Sequence, residues 1–421
     1  MALYQWHGWG ILPLFITKSV LKKALKLQPW QQWSMSLSEQ DIKDRRRFFS
    51  RLGAQLFCPL SGGRYEFNLA NTPVGPLTLN ANEMTIKLDA LTIIAFEEIT
   101  LLYIHMHSND EYGAEQLAAI NRMAFAWEPR MLNHSVSDWT DQHGLSKSLK
   151  QHISELLGIN FDVERGYGDD VFGHELANCS WLKQVKASPH QPPCVSELSA
   201  GIDISNPRYQ LADIELQRLK QQQFSYWNDW RCQLNLGRLV FVDDTPTDSS
   251  PLAFNLKQSQ YYLDLFALVL LQKLMLGYFK EQLVLANAKQ RVKLFKKIEL
   301  FRRKYKVSLI STYPFANKLY NYFCQQSDLD SLEEKIFTEL EYSHSLWREA
   351  QDATANSVML FISLIASILL PASSVAAIFA LSDAQMNEKF WGISALFTVI
   401  TLMVIVAPLI KRKLISIKDG I

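Results

Sequence analysis

The chain has 421 residues, of which 48% are apolar, 12% aromatic and 20% charged. Lysine and arginine number 43 against 42 aspartates and glutamates, so a net charge near zero gives no electrostatic basis for binding nucleic acid. Cys58, Cys179, Cys194, Cys232 and Cys324 stand far apart with no Cys–x–x–Cys pair, which suits reduced cytosolic thiols rather than a disulfide framework.

No signal peptide is expected at the start: the first 17 residues carry no positive charge before Lys18, and no small-residue cleavage site follows an adequate apolar stretch. Residues 1–255 read as a mixed α/β domain. Runs rich in β-branched and aromatic residues predict strands at Tyr65–Leu69, Leu77–Asn80, Met84–Phe96, Ile99–His105 and Arg238–Asp243. Helical stretches fall at Gly113–Trp127 and Leu145–Leu157. Two loops stand out by their Pro and Ser content, Ala187–Ala200 and Asp243–Pro251, and the second marks a domain boundary.

Three short patterns in this region touch chemistry. His105–Met106–His107 puts two imidazoles on one strand face, with Asp110 and Glu111 close behind, but no third ligand stands at a metal-site spacing. Tyr167–Gly168–Asp169–Asp170 matches a polymerase tetrapeptide with nothing around it to support nucleotide chemistry. Asp243–Asp244 closes a strand and reads either as a turn or as a regulatory divalent-cation site between subunits. No Gly-rich phosphate loop, Ser–His–Asp arrangement or paired zinc motif is visible, so neither enzymatic activity nor a tightly bound cofactor is expected.

Residues 256–356 turn almost wholly helical. Tyr261–Phe279 is apolar enough to resemble a membrane span, yet Asp264, Gln272 and Lys273 inside it would be costly in lipid. A buried core helix is the expected reading, running on into Lys289–Lys306, where nine of eighteen residues are Lys or Arg. That basic stretch suits pairing with the acidic start of the last helix (Asp328, Asp330, Glu333, Glu334, Glu339, Glu341), or docking on anionic headgroups. After a break at Ser311–Pro314 and a short helix near Phe315–Cys324, Ser331 and Glu334 form a capping-box pattern. Leu329, Leu332, Ile336, Leu340, Ser343 and Trp347 then recur at three- and four-residue steps, a narrow stripe of the coiled-coil kind. No Pro or Gly interrupts Ser331–Leu370, so one helix of about 60 Å is expected before Pro371.

Two segments without charge come next, Ser357–Leu381 and Phe390–Ile410, each close to the roughly 20 apolar residues that cross a bilayer. The short loop Ser382–Lys389 makes them an antiparallel hairpin. Lys411, Arg412, Lys413 and Lys418 lie just after the second span, so the positive-inside rule puts both termini in the cytoplasm of a multi-pass protein of the cytoplasmic membrane. The layout is then a cytoplasmic α/β domain (1–255), a helical hairpin and stalk (256–356), a first span (357–381), an extracytoplasmic loop (382–389), a second span (390–410) and a basic tail (411–421).

Inside the first span the polar residues are not scattered. Asn356, Met359, Ser363, Ser367, Leu370 and Ser374 are spaced by steps of three and four and share one helix face. Such a ribbon suits close helix–helix packing. The other reading is a pore lined by several copies of the helix around a symmetry axis.

The segment resembles the first membrane helix of the CorA family of magnesium channels. The likeness rests on Asn356, Val358, Met359, Ser363, Ile365, Ala366, Ser367, Ile368, Pro371, Ser373, Ala376 and Ile378 in one ungapped run, with Trp391–Gly392 opening the second span. It covers about 70 residues; the remainder agrees in layout only. The resemblance implies a funnel of five subunits, stalk helices lining its cytoplasmic cone, and magnesium as a permeant or regulatory ion. One departure is central. Where the family ends its first span in Gly–Met–Asn, this chain reads Ala380–Leu381–Ser382. A hydrated magnesium ion held through outer-sphere hydrogen bonds would meet a hydroxyl in place of an amide. Asp383 and Glu388 near the mouth would form acidic rings in an oligomer and concentrate cations, or else serve only to solvate the loop.

The leading expectation is therefore a homopentameric, CorA-like cation channel with altered selectivity, embedded in the lipid bilayer. Met359 and Leu370 would be its hydrophobic constrictions, and the cytoplasmic domain would sense a ligand or ion. The alternatives are a loosely selective pore-forming effector opened by an activating ligand or protein, and a membrane-anchored binding protein without transport.

Overall fold

The computed structural model describes residues 3–381 apart from 17, 34–37, 58–62, 82, 97–98, 130–135, 162–173, 187–194, 203–209 and 245–249, and beyond them Gly392, Ala395, Leu396 and Val399. The chain divides into two compact units, Met1–Phe337 and Thr338–Ile421. Tyr167–Asp170 and most of the Ala187–Ala200 loop lie outside the described residues.

The first unit opens with β1 (Leu3–Leu14), α1 (Lys18–Leu27), β2 (Gln31–Gln32), α2 (Glu39–Phe48) and α3 (Arg51–Phe57). Four strands come next, β3 (Arg64–Asn68), β4 (Leu77–Ala81), β5 (Met84–Ala95) and β6 (Thr100–His107), then α4 (Ala114–Ala124). β7 (Asp138–Thr140), β8 (Ser146–Ser148), α5 (Leu149–Leu157), β9 (Ala177–Lys186), α6 (Val195–Ala200), α7 (Asp213–Gln221), β10 (Trp230–Asn235) and β11 (Arg238–Asp243) complete the mixed region. The helices α8 (Tyr261–Leu285), α9 (Ala288–Tyr305), α10 (Pro314–Gln326) and α11 (Leu329–Leu381) come last.

The strands form one mixed sheet ordered β10-β11-β9-β1-β6-β5-β4-β7-β8, with β3 also on β5 and β2 on β3. Only β9–β11 is parallel among the described pairs. All five expected strands are present within a residue or two. The central strand β1 was not among them. Its alternate residues serve opposite faces, as period two requires. Trp6 packs on Phe125 beside α4 and donates its indole N–H to Asn121 at 2.7 Å. An added Cβ at Gly8 would stand 2.4 Å from the Trp6 ring, so only glycine lets that indole lie along the strand. On this face α4 and α5 bury Leu117, Ile120, Leu149 and Ile153 in the main core.

α8, α9, α10 and the start of α11 belong with the sheet to the same unit. α8 is the one described helix long and apolar enough to cross a membrane, and it lies mostly buried within the unit. This agrees with the core-helix reading. Its Asp264 is wholly inaccessible and ion-paired to two buried guanidiniums, Arg45 of α2 and Arg64 of β3. Arg64 donates to both Asp264 oxygens at 2.9 and 3.0 Å and also to Gln260. Arg45 donates to the Phe57 and Ser259 carbonyls at 2.8 and 2.6 Å, while both guanidiniums lie over the Trp33 ring. Further along, the Gln272 amide donates to the Tyr305 carbonyl and the Tyr320 hydroxyl, tying α8 to α9 and α10.

Two helix boundaries depart from expectation. α8 does not run on into the basic segment: it stops at Leu285, and Asn287 caps α9 in a reciprocal box with Gln290. α11 begins at Leu329, ahead of Ser331, because Asp328 takes a left-handed conformation (φ 51°) that turns the chain, and its carbonyl accepts from Leu332. Arg302 of α9 pairs with Glu333 at 3.1 Å and Lys306 with Glu333 and Asp330, which realises part of the expected basic–acidic pairing.

Removing the carboxylate at Asp264 leaves two uncompensated buried charges, a loss of about 3–5 kcal/mol. We expect Asp264→Ala to lower the thermal unfolding temperature of the purified chain by many degrees or to abolish folding. An unchanged melting curve by circular dichroism would show that the network is not holding these elements together.

Candidate functional sites

The apolar stretch of α11 is described only in part. Over Val358–Ile365, large side chains are exposed on every side of the helix, Met359 by 70% and Phe361 by 64%. Isolated exposed apolar residues are ordinary, but a continuous belt marks a surface meant to be covered. Asn356, Met359 and Ser363 are exposed on one face of this helix. Ser367, Leu370, Ser374, Ala380 and Leu381 belong to the same helical backbone, and their side chains are outside the described part. The helical backbone thus includes Ala380 and Leu381. Ser382, Asp383 and Glu388 lie outside the described residues; in the second apolar segment Gly392, Ala395, Leu396 and Val399 are helical and exposed.

A second feature carries no motif in the sequence. On the sheet face opposite α4 lies an open cleft of about 970 Å³, floored by β9, β1, β6, β5 and β3 and rimmed by residues 250–260. Register sets its floor. His7 of β1 stands between Trp181 of β9 and His107 of β6, and Trp9 stands opposite His105. The His7 ring stacks on Trp181 at 4.8 Å and faces His107 at 6.2 Å, giving a row of three rings across three strands. The β5–β6 register shifts between Leu88 and Ala90, so Asp89 is the extra residue of a bulge. Bulges re-aim side chains, and here Asp89 pairs with His107 at 2.5 Å. The rim contains a π-helical turn, Phe254–Gln258, followed by Gln260 at φ 57°. Both features are uncommon in ordinary connections and recur at functional sites.

The electrostatics are set by burial. Desolvation pushes His7 down to about 3, helped by the positive charges of Lys257 and Lys183 and opposed by Asp89. Burial, with Arg64 nearby, likewise lowers His105 to about 3, and its Nε2 is 2.8 Å from the Thr92 hydroxyl. Glu66 is raised by burial and partly restored by Arg64. Both histidines are therefore neutral hydrogen-bonding groups at physiological pH.

His105 and His107 share one face of the sheet and both line the cleft. Asp110 accepts from the Tyr112 hydroxyl, and among the described residues no group of three His, Cys, Asp or Glu is placed to hold an ion. Asp243 is buried and Asp244 pairs with Arg231 at 2.5 Å, which suits a structural role at the strand end. A smaller groove of about 580 Å³ lies between α8, α9, α10 and the start of α11, lined by Leu276, Phe301 and Tyr320 with Arg302 and Glu333 at its polar side.

Because His7 and His105 are held below their unfolded value of about 6.5, the unfolded chain takes up protons first as the pH falls. Their neutral burial favours the fold fully above pH ~6.5, and that contribution is lost progressively toward pH ~3, by about 1.4 kcal/mol per pH unit for each ring. We expect His7→Gln to flatten the fall in unfolding temperature between pH 6.5 and 4.5 relative to the natural chain. Parallel curves for the two proteins would contradict this assignment.

No known family model, curated protein or solved structure matches this chain.

Proposed function

We propose that this chain is a multi-pass protein of the cytoplasmic membrane that assembles through its C-terminal helices, as a homopentamer on the CorA pattern, into a funnel-shaped cation channel. The observation that carries the reading is the exposed apolar belt of α11 with Asn356, Met359 and Ser363 on one face. Lipid would cover the larger part of such a helix, and neighbouring copies the polar ribbon. Ser367, Leu370 and Ser374 extend the ribbon by the same spacing. The second apolar segment closes the two-helix hairpin, returning the basic tail to the cytoplasm.

Hydrated cations would move along hydroxyls and one amide, with Met359 and Leu370 as constrictions. Continuation of α11 through Ala380 and Leu381 favours looser selectivity than a magnesium filter, and hence a pore opened by a separate signal. Ser382, Asp383 and Glu388 would stand at its outer mouth. Magnesium remains the reference divalent ion on the family likeness. An activating ligand or partner acting on the sheet domain is part of the same proposal.

The test is ion flux into liposomes containing the purified chain, comparing magnesium, cobalt, zinc, potassium and chloride, with Ser367→Asp alongside. We expect cation flux exceeding chloride flux, changed severalfold by a ring of carboxylates at position 367. Absence of flux of every ion from a correctly inserted oligomer would favour a hairpin that only anchors the protein.

A further inference from the structure

We infer that the cleft on the β9–β1–β6–β5 face binds a small molecule of the nucleoside monophosphate class. Its phosphate would lie over β9 and β1 between Lys183 and Lys257, and its base toward Asp89 and Glu66. This inference concerns residues of the first unit and stands apart from the membrane reading.

The order of strands makes the cleft electrically lopsided. Lys183 lies on β9 and Lys257 on the rim, and both act on His7 of β1. Asp89 and Glu66 lie on β5 and β3, at the other end of the floor. With strands about 4.8 Å apart, β9 and β5 are separated by about 14 Å. A molecule that meets both ends must therefore be long and flat, anionic at one end and rich in hydrogen-bond donors at the other. A ribonucleotide has that length and polarity, with exocyclic amine or ring N–H groups opposite its phosphate. A free phosphate or a simple carboxylate would reach only the lysines.

Three further observations indicate a built site. Trp181 lines the cleft, is only 3% exposed, and has an indole N–H without a partner among the described residues. A buried donor left unpaired costs about 1–3 kcal/mol, and a turn of the ring toward the cleft would present it to a ligand oxygen over β9. The row Trp181–His7–His107 gives the floor an aromatic surface whose imidazole at His7 is neutral and able both to donate and to accept. Finally, the bulge at Asp89, the π-turn at Phe254–Gln258 and the left-handed Gln260 all fall on the walls of this one cleft. Its volume lies within the range of small-molecule sites.

Isothermal titration of the full chain in detergent with AMP, GMP, CMP and UMP separately, each beside its nucleoside and inorganic phosphate, tests the assignment. We expect at least one monophosphate to bind once per chain, about tenfold or more tighter than its nucleoside and than phosphate alone. Lys257 is exposed, so Lys257→Ala should preserve the fold by circular dichroism, remove the phosphate advantage and leave nucleoside binding unchanged. Asp89→Asn should weaken the nucleoside and the nucleotide alike. No binding of any of the four monophosphates would overturn the proposal. So would phosphate binding as tightly as the best nucleotide, or affinities that neither substitution alters.

Discussion

Asp264 is buried in the first unit with no access to water, and its charge is tolerable only because Arg45 and Arg64 meet it there. Burying an ion costs several kcal/mol, and the attraction repays that cost only when the geometry is held. The contact therefore fixes three elements at once, α2, β3 and α8. Through them it also fixes one end of the cleft. Arg64 and Glu66 are two residues apart on β3, so the strand that brings the guanidinium to α8 presents Glu66 on the same face, at the cleft edge. Gln260 binds Arg64 from the residue before α8, and its left-handed backbone carries the chain from the rim of the cleft into that helix. The polar floor and the helical layer thus share one electrostatic anchor.

The anchor explains why an apolar helix of 25 residues belongs to the interior of the first unit. α8 is nearly uniformly hydrophobic, as a helix covered on every side must be. Its polar residues have partners elsewhere in that unit: Asp264 on β3 and α2, Gln272 on α9 and α10. The apolar part of α11 differs in kind. Its large side chains are exposed, and Asn356 and Ser363 are repeated on one face. Under the proposed function, lipid and other copies of the helix would take the place that protein takes around α8.

How much of this was legible depended on how local each signal is. β3 through β6 and β11 were readable because β-branched and aromatic residues run between turn residues. β1 was hidden: Gly8, Gly10 and Pro13 break the pattern that marks a strand, though Gly8 is what admits the Trp6 indole. β9 was hidden for another reason. It is buried over Ala177–Leu182 on both faces, so polar Asn178 and Ser180 occupy positions where alternation predicts nothing clear. The Asn287–Gln290 cap was a local signal that could have ended α8, but the surrounding charge pattern obscured it. The helical face of Asn356, Met359 and Ser363 was readable from spacing alone. The cleft was not, because its walls come from six separate stretches of chain, of which only His105–His107 carries a recognisable pattern. A bulge at Asp89 and a π-turn at Phe254–Gln258 are properties of pairing and backbone, with no residue motif to announce them.

Under the proposed function, the ribbon on α11 faces other copies of itself around an axis. Single cysteines placed at Asn356 and Ser363, and for comparison at Phe361 and Ile365 on the opposite face, can be oxidised in native membranes and compared with the unsubstituted chain. We expect cross-linked oligomers from Asn356→Cys and Ser363→Cys and none above background from Phe361→Cys or Ile365→Cys. Equal cross-linking from both faces, or monomer throughout, would contradict it.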